Sequence, residues 1–240
     1  MSGQPYRRSA VIYDAIYRSR EPARAALAER TLDLVREHGR SGGRALLDVG
    51  CGTGADLPTW RRAGYTVEGV DVSADMLEVA HARCPEVPLH QGDMATFVLG
   101  RRFDAVVCMG SSIGYTRTPE GLDAALLTLA RHAAPGGVVV VHAWIAPDDW
   151  RAGDLTAELV DEPELKIARL SRSSREGDVS VFEWHDLVLT PAGAESYVER
   201  HEMGLFAPER YRLAFERAGL DVVAHDPAAG GGRGLHVGRA

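Results

Sequence analysis

Short runs of consecutive apolar residues alternate with amphipathic stretches as far as Trp144, and there the pattern changes. Ala45 to Val49, Thr66 to Val70, Val87 to His90, Phe103 to Met109 and Val138 to His142 read as strands. Near-continuous apolar runs of that length suit strands buried on both faces. Leu57 to Arg62, Ala74 to Ala82 and Pro119 to Ala134 read as the helices between them. Ala23 to His38 is a further helix, with Pro22 before it, Gly39 ending it, and Ala23, Leu27, Leu34 and Val35 on one face. Repeated strand and helix units predict an α/β fold with a mostly parallel sheet, whose ligands sit outside the strand carboxyl ends.

After Trp144 a loop rich in Asp and Pro leads to Leu165 to Arg172, Val179 to Leu189 and Glu195 to Leu205, which read as successive antiparallel strands. They predict a lid. Pro208 to Ala218 then reads as a helix, and Leu220 to Ala224 and Leu235 to Gly238 as strands, with a glycine-rich turn at Ala228 to Gly234. With 240 residues and 45% apolar content, the expectation is one domain across 1–240, carrying the lid insertion at about 150–205.

A net charge of −7 argues against duplex nucleic acid as a partner, because phosphate neutralisation needs a basic stripe. Small-molecule substrates fit better. The three cysteines, at 51, 84 and 108, lack the spacing of a zinc site or a disulfide framework. No apolar run reaches the roughly 18 to 20 residues of a membrane span, and the first residues show no apolar segment. The expected location is the cytoplasm.

The run Ala45-Leu46-Leu47-Asp48-Val49-Gly50-Cys51-Gly52-Thr53-Gly54 joins a buried strand to a glycine-rich turn and a helix. Such a turn lets backbone amides approach a nucleotide-type cofactor closely. Gly50, Gly52 and Ala55, with Asp71 beyond, also satisfy the dinucleotide fingerprint G-x-G-x-x-G/A. The wider context favours another cofactor. Asp48 before the first glycine, the turn G-x-G-x-G through Gly54, Val67-Glu68-Gly69-Val70-Asp71, Gln91-Gly92-Asp93-Met94, Phe103 to Met109 and Ala134-Pro135-Gly136-Gly137 occur in one register. The chain resembles the class I S-adenosylmethionine (SAM) methyltransferases. That resemblance implies a Rossmann-like fold with a mostly parallel seven-stranded sheet.

For the cofactor, the expected contacts are Asp48, Gly50, Gly52, Asp71, Asp93, Met94 and Met109. Asp71 ends the second strand, where a carboxylate can accept bonds from both ribose hydroxyls or simply cap a helix. Asp93 and Met94 resemble the family's adenine-contacting pair. No metal is expected, since the nine histidines show no ligand spacing.

A closer resemblance covers almost the whole chain and is carried by Tyr13-Asp14-x-x-Tyr17-Arg18, Cys108-Met109-x-Ser111-Ser112-Ile113-Gly114, Ala130 to Val141 and Gly232-Arg233-Gly234-Leu235. These runs are similar to the N,N-dimethyltransferases of nucleotide-linked amino sugars in antibiotic pathways, such as those making desosamine and mycaminose. The resemblance implies a thymidine diphosphate (TDP) amino sugar as acceptor and a homodimer. Arg169, Arg172 and Arg233 are the candidate diphosphate donors, for guanidinium forks suit phosphate. Tyr17 and Tyr115 are the candidate catalytic residues. Where the family carries a histidine after Ser-Ser-Ile-Gly, this chain has Tyr115; with a phenol pKa of about 10, it is expected to act by hydrogen bonding. His142 and Arg20-Glu21-Pro22 are further departures, leaving the SAM motifs intact.

Three alternatives stay open on the residues alone. Another small-molecule N- or O-methyltransferase would share the cofactor motifs and differ in the lid. A nicotinamide oxidoreductase would use the same glycine turn. A SAM-binding module would bind without turnover.

Overall fold

A computed structural model describes Tyr6 and residues 8–240; the remaining N-terminal residues read above lie outside the described residues. Helices α1 (Ala10–Tyr17) and α2 (Glu21–His38) precede strand β1 (Ala45–Val49). Next come α3 (Leu57–Arg62), β2 (Thr66–Asp71), α4 (Ala74–Arg83), β3 (Leu89–Gln91), β4 (Phe103–Cys108), α5 (Pro119–His132) and β5 (Ala133–His142). Four long strands follow, β6 (Leu155–Glu162), β7 (Leu165–Glu176), β8 (Val179–Thr190) and β9 (Gly193–Gly204). The chain then closes with α6 (Pro208–Arg217), β10 (Asp221–Asp226) and β11 (Leu235–Arg239).

The central sheet has seven strands in the order β10-β11-β5-β4-β1-β2-β3. Strands β1 to β5 pair in parallel, while β11 runs antiparallel to both β5 and β10. This is the Rossmann-like methyltransferase sheet anticipated from the sequence. Alternation along each strand explains the apolar runs, because successive side chains enter opposite cores. Leu47, Val106, Val139 and Val141 pack with α5 and α6 through Leu122, Leu129 and Phe215. Leu46, Ala105, Val107, Val138 and Val140 pack on the other side with Leu32, Leu34 and Trp60 of α2 and α3.

The second sheet is the antiparallel insertion, ordered β6-β7-β8-β9. Its inner face carries Ile167, Arg169, Trp184, Asp186, Val188 and His201, all buried. Two elements depart from the sequence reading. Strand β6 occupies part of the stretch read as loop; it is an edge strand exposed along most of its length, so it lacks an apolar signature. Helix α1 has no side-chain N-cap and no acidic first turn, the usual markers of a helix start.

Candidate active site

The glycine turn begins where β1 ends. The amides of Gly50 and Cys51 both donate to the Val70 carbonyl, at 2.7 and 3.1 Å, which binds the turn to β2. Gly50, Gly52 and Gly54 have φ of +73°, +55° and +70°. A Cβ on Gly50 would lie 2.7 Å from Ser112 Cβ, and one on Gly54 would lie 2.9 Å from Leu57 Cδ1. One on Gly52 would meet nothing within 4 Å. The middle glycine therefore opens the backbone onto free space, as a cradle for a cofactor requires.

Asp71 is hydrogen-bonded through both carboxylate oxygens, Oδ2 accepting from the Gly52 amide at 2.8 Å and Oδ1 from the Ser73 amide at 2.9 Å. It holds the glycine turn and the start of α4 with one group. Asp48 is buried and accepts a 2.8 Å bond from the Trp60 indole. Burial, with Asp56 adding its charge, pushes the Asp48 carboxyl up to about 7. Asp93 Oδ1 accepts from the Ala95 amide, Met94 packs against the core beside it, and Met109 is buried beneath α2 beside Thr31.

Helix α1 lies between this turn and the inserted sheet. On one side Asp14 accepts a 2.8 Å bond from Thr53 Oγ1 and pairs with Arg83 of α4, whose Nη1 also donates to the Thr53 carbonyl at 2.9 Å. On the other, Ile12 and Ile16 pack on Ile167 and Val188, while Arg18 and Arg20 beyond the helix pair with Glu162 and Glu158 of β6.

Around helix α1 aromatic rings and arginines cluster together. Tyr13 and Tyr17 have ring centroids 4.5 Å apart, and Tyr6 sits edge-on to Tyr13 at 5.4 Å. The Tyr115 and Tyr6 hydroxyls are hydrogen-bonded at 2.7 Å. Arg233 places its guanidinium 4.7 Å from the Trp144 ring centroid and donates to Ser111 Oγ at 3.3 Å. Among the described residues no carboxylate pairs with it. Burial, with the charge of Arg20 nearby, lowers its pKa. His142, adjoining it, is pushed down to about 4 by burial and by Arg233, and its Nε2 has no partner. Gly230 makes room there, since a Cβ on it would fall 2.0 Å from His142 Nε2.

Residues 46–137 match the model of a methyltransferase domain family. The chain is 42% identical to the dTDP-3-amino-3,6-dideoxy-alpha-D-glucopyranose N,N-dimethyltransferase of Streptomyces fradiae, covering 95% of this chain and 89% of that one. Superposition on the crystal structure of Streptomyces venezuelae DesVI gives a TM-score of 0.87 at 42% identity, over 95% of this chain and 97% of that one. The chain belongs to the amino-sugar N-methyltransferase family. SAM-bound CalS10, an amino pentose methyltransferase from Micromonospora echinaspora, is also similar, with a TM-score of 0.82 and 38% identity over 95% of this chain and 96% of that one. This methyltransferase uses SAM as its methyl donor.

The three arginines singled out in the sequence do not converge in this methyltransferase. Arg233 lies among Trp144, Ser111 and His142. Arg169 is 1% exposed and its fork is engaged internally, Nε and Nη2 donating to the two Asp186 oxygens at 2.8 and 2.9 Å, so only Nη1 remains without a partner. Arg172 departs from the expected position: it lies exposed on the outer face of the lid, paired with Glu183, because residues three apart on a strand point to opposite faces. Tyr17 and Tyr115 both belong to the aromatic cluster, and burial raises the pKa of each. The sequence reading missed His201 and Glu199. Their signal was the two-residue spacing that puts Glu199, His201 and Met203 on one face of β9.

Proposed function

We propose that this methyltransferase transfers methyl groups to the amine of a TDP-linked amino sugar in antibiotic biosynthesis, with the acceptor held between the glycine turn and the lid. The observation that carries this is Arg233, a half-buried guanidinium without a carboxylate partner among the described residues, which suits a diphosphate oxygen. Asp71 would take the ribose hydroxyls of SAM, Asp93 and Met94 the adenine, and Asp48, Gly50, Gly52 and Met109 the methionyl end. SAM supplies an electrophilic methyl on a sulfonium. The protein's part is to hold the amine roughly 3 to 3.5 Å from it and exclude water, with Tyr17 orienting the amine or a sugar oxygen.

We further read the chain as one domain with its lid, acting in the cytoplasm as a homodimer. Among the described residues no helix is long and apolar enough to cross a membrane. The outer lid face exposes Leu159, Leu170, Leu187 and Val198, a patch of the kind that pairs subunits.

Calorimetric titration with S-adenosylhomocysteine, then with TDP added to the complex, tests the acceptor class. Binding of both is expected. Binding of the first alone would remove the nucleotide handle.

A further inference from the structure

Tyr115, His201 and Glu199 form a connected line of polar groups, with the Tyr6 hydroxyl bonded to Tyr115 at its head. Tyr115 lies on the 3-10 turn Ser112–Thr116, and its hydroxyl is 2.9 Å from His201 Nδ1 on β9. His201 is 1% exposed and stacked on Trp184, with ring centroids 3.9 Å apart. Its other nitrogen, Nε2, has no hydrogen-bond partner and lies 3.5 Å from Glu199 Oε2. Glu199 is fixed in turn by Ser9 Oγ at 2.6 Å and by the Arg8 and Ser9 amides at 3.0 and 3.2 Å. The carboxylate faces Nε2, which favours the tautomer with hydrogen on Nε2 and leaves Nδ1 as an acceptor toward the phenol.

We propose, building on the amino-sugar assignment above, that Tyr115, His201 and Glu199 form the proton exit for the acceptor's ammonium group. An alkylammonium has no lone pair, and each methyl added brings a proton that must leave before the next transfer. The substrate N–H bond breaks with its electron pair kept on nitrogen. The proton passes to the Tyr115 oxygen as the phenol's own proton passes to His201 Nδ1. The imidazolium so formed rests beside the Glu199 carboxylate and releases its Nε2 proton to solvent past that group, whose side chain is 11% exposed, before the next transfer. Tyr115 is neutral before and after. Tyr115 is the catalytic residue of the three, whereas His201 and Glu199 act through it.

The surroundings suit this transfer. Burial holds the Tyr115 phenol well above its ordinary pKa, so it relays a proton without resting as a phenolate. Burial by itself would raise Glu199, but contacts from His201, Ser9 and the Arg8 amide outweigh it and hold the carboxyl down at about 2, charged at any working pH. The titratable groups around His201 are Tyr115 from the 3-10 turn, Tyr6 from the N-terminal segment, Glu199 on its own strand and, beyond the Trp184 ring, Arg169 on β7. Glu199 is the one anion among them, and it lies nearest.

The test is the pH dependence of kcat, with SAM and a TDP-amino sugar saturating, for the wild type, Tyr115→Phe and His201→Asn. The wild-type rate is expected to stay level to below neutral pH. Each variant should lose about tenfold to a hundredfold at pH 7 and recover toward wild type as pH passes the acceptor's own amine pKa. S-adenosylhomocysteine affinity should be unchanged, showing that both still fold; His201→Gln replaces Asn if the lid is disturbed. Profiles parallel to wild type, or an equal loss at every pH, would overturn the relay. A wild type that binds S-adenosylhomocysteine yet methylates no TDP-amino sugar would instead overturn the acceptor assignment, and the relay with it.

Discussion

The Asp14 carboxylate accepts a hydrogen bond from Thr53 Oγ1 at 2.8 Å, so helix α1 is anchored to the glycine turn itself. Since α1 also packs on the inserted sheet, one short helix bridges the turn and that sheet. Thr53→Val keeps the shape of the side chain and removes the hydroxyl. The expected loss in S-adenosylhomocysteine affinity is about 1 kcal/mol, or about fivefold, by calorimetry. An unchanged affinity would show that the anchor is passive.

Arg233→Ala should raise the KM for the amino-sugar nucleotide by about tenfold to a hundredfold, the size of one charge-assisted phosphate contact. SAM affinity should hold. The same substitution removes a charge that depresses His142, so the imidazole should titrate closer to its ordinary value in an NMR titration. Equal losses of acceptor and cofactor affinity would mark Arg233 as structural.

Arg169 and Asp186 are 2% and 0% exposed in their side chains, which makes them a buried ion pair in the lid. Removing one partner leaves the other uncompensated, so Arg169→Met should cost about 3 to 5 kcal/mol in thermal or denaturant unfolding. Adding Asp186→Leu should recover most of it. If the stabilised double variant has a normal acceptor KM, Arg169 belongs to the framework; if the KM stays high, its free Nη1 touches substrate.

His236 is buried between the Tyr211 and His225 rings, at 4.8 and 4.3 Å, and burial together with His225 pushes its pKa down to about 3. The unfolded chain takes up a proton at this residue below about pH 6.5, while the folded one stays neutral to about pH 3. Stability from this group is therefore complete above pH 6.5 and falls as the solution is acidified, by at most about 1.4 kcal/mol per pH unit. His236→Phe should flatten that slope in unfolding curves between pH 6 and about pH 4. Parallel slopes would place the acid sensitivity elsewhere, Asp48 excluded: with its carboxyl raised to about 7, it contributes in the opposite sense.

The parallel sheet was legible because its strands are buried on both faces, which leaves unbroken apolar runs such as Val138 to Val141. Turn chemistry made the glycine loop legible as well. Strand β6 was not, because an exposed edge strand places almost no demand on composition. Helix boundaries shifted where backbone context overrode propensity: α5 ends at His132, and Ala133 already pairs in register with Phe103. The aromatic cluster was the least legible part. Tyr115 and His201 are 86 residues apart, and nothing local in either segment indicates that a 3-10 turn and a lid strand will bring them together. The grouping of Arg169 with Arg172 failed for a simpler reason, since odd spacing on a strand separates faces.

Strands β6 to β9 leave the parallel sheet after β5 and return before α6, as one uninterrupted stretch of chain. The insertion is thus a single cassette, whereas the glycine turn belongs to the alternating strand and helix frame. Exchange of that cassette between relatives would carry over only the inserted sheet's share of the acceptor contacts, because Tyr17, Tyr115 and Arg233 would stay behind with the frame.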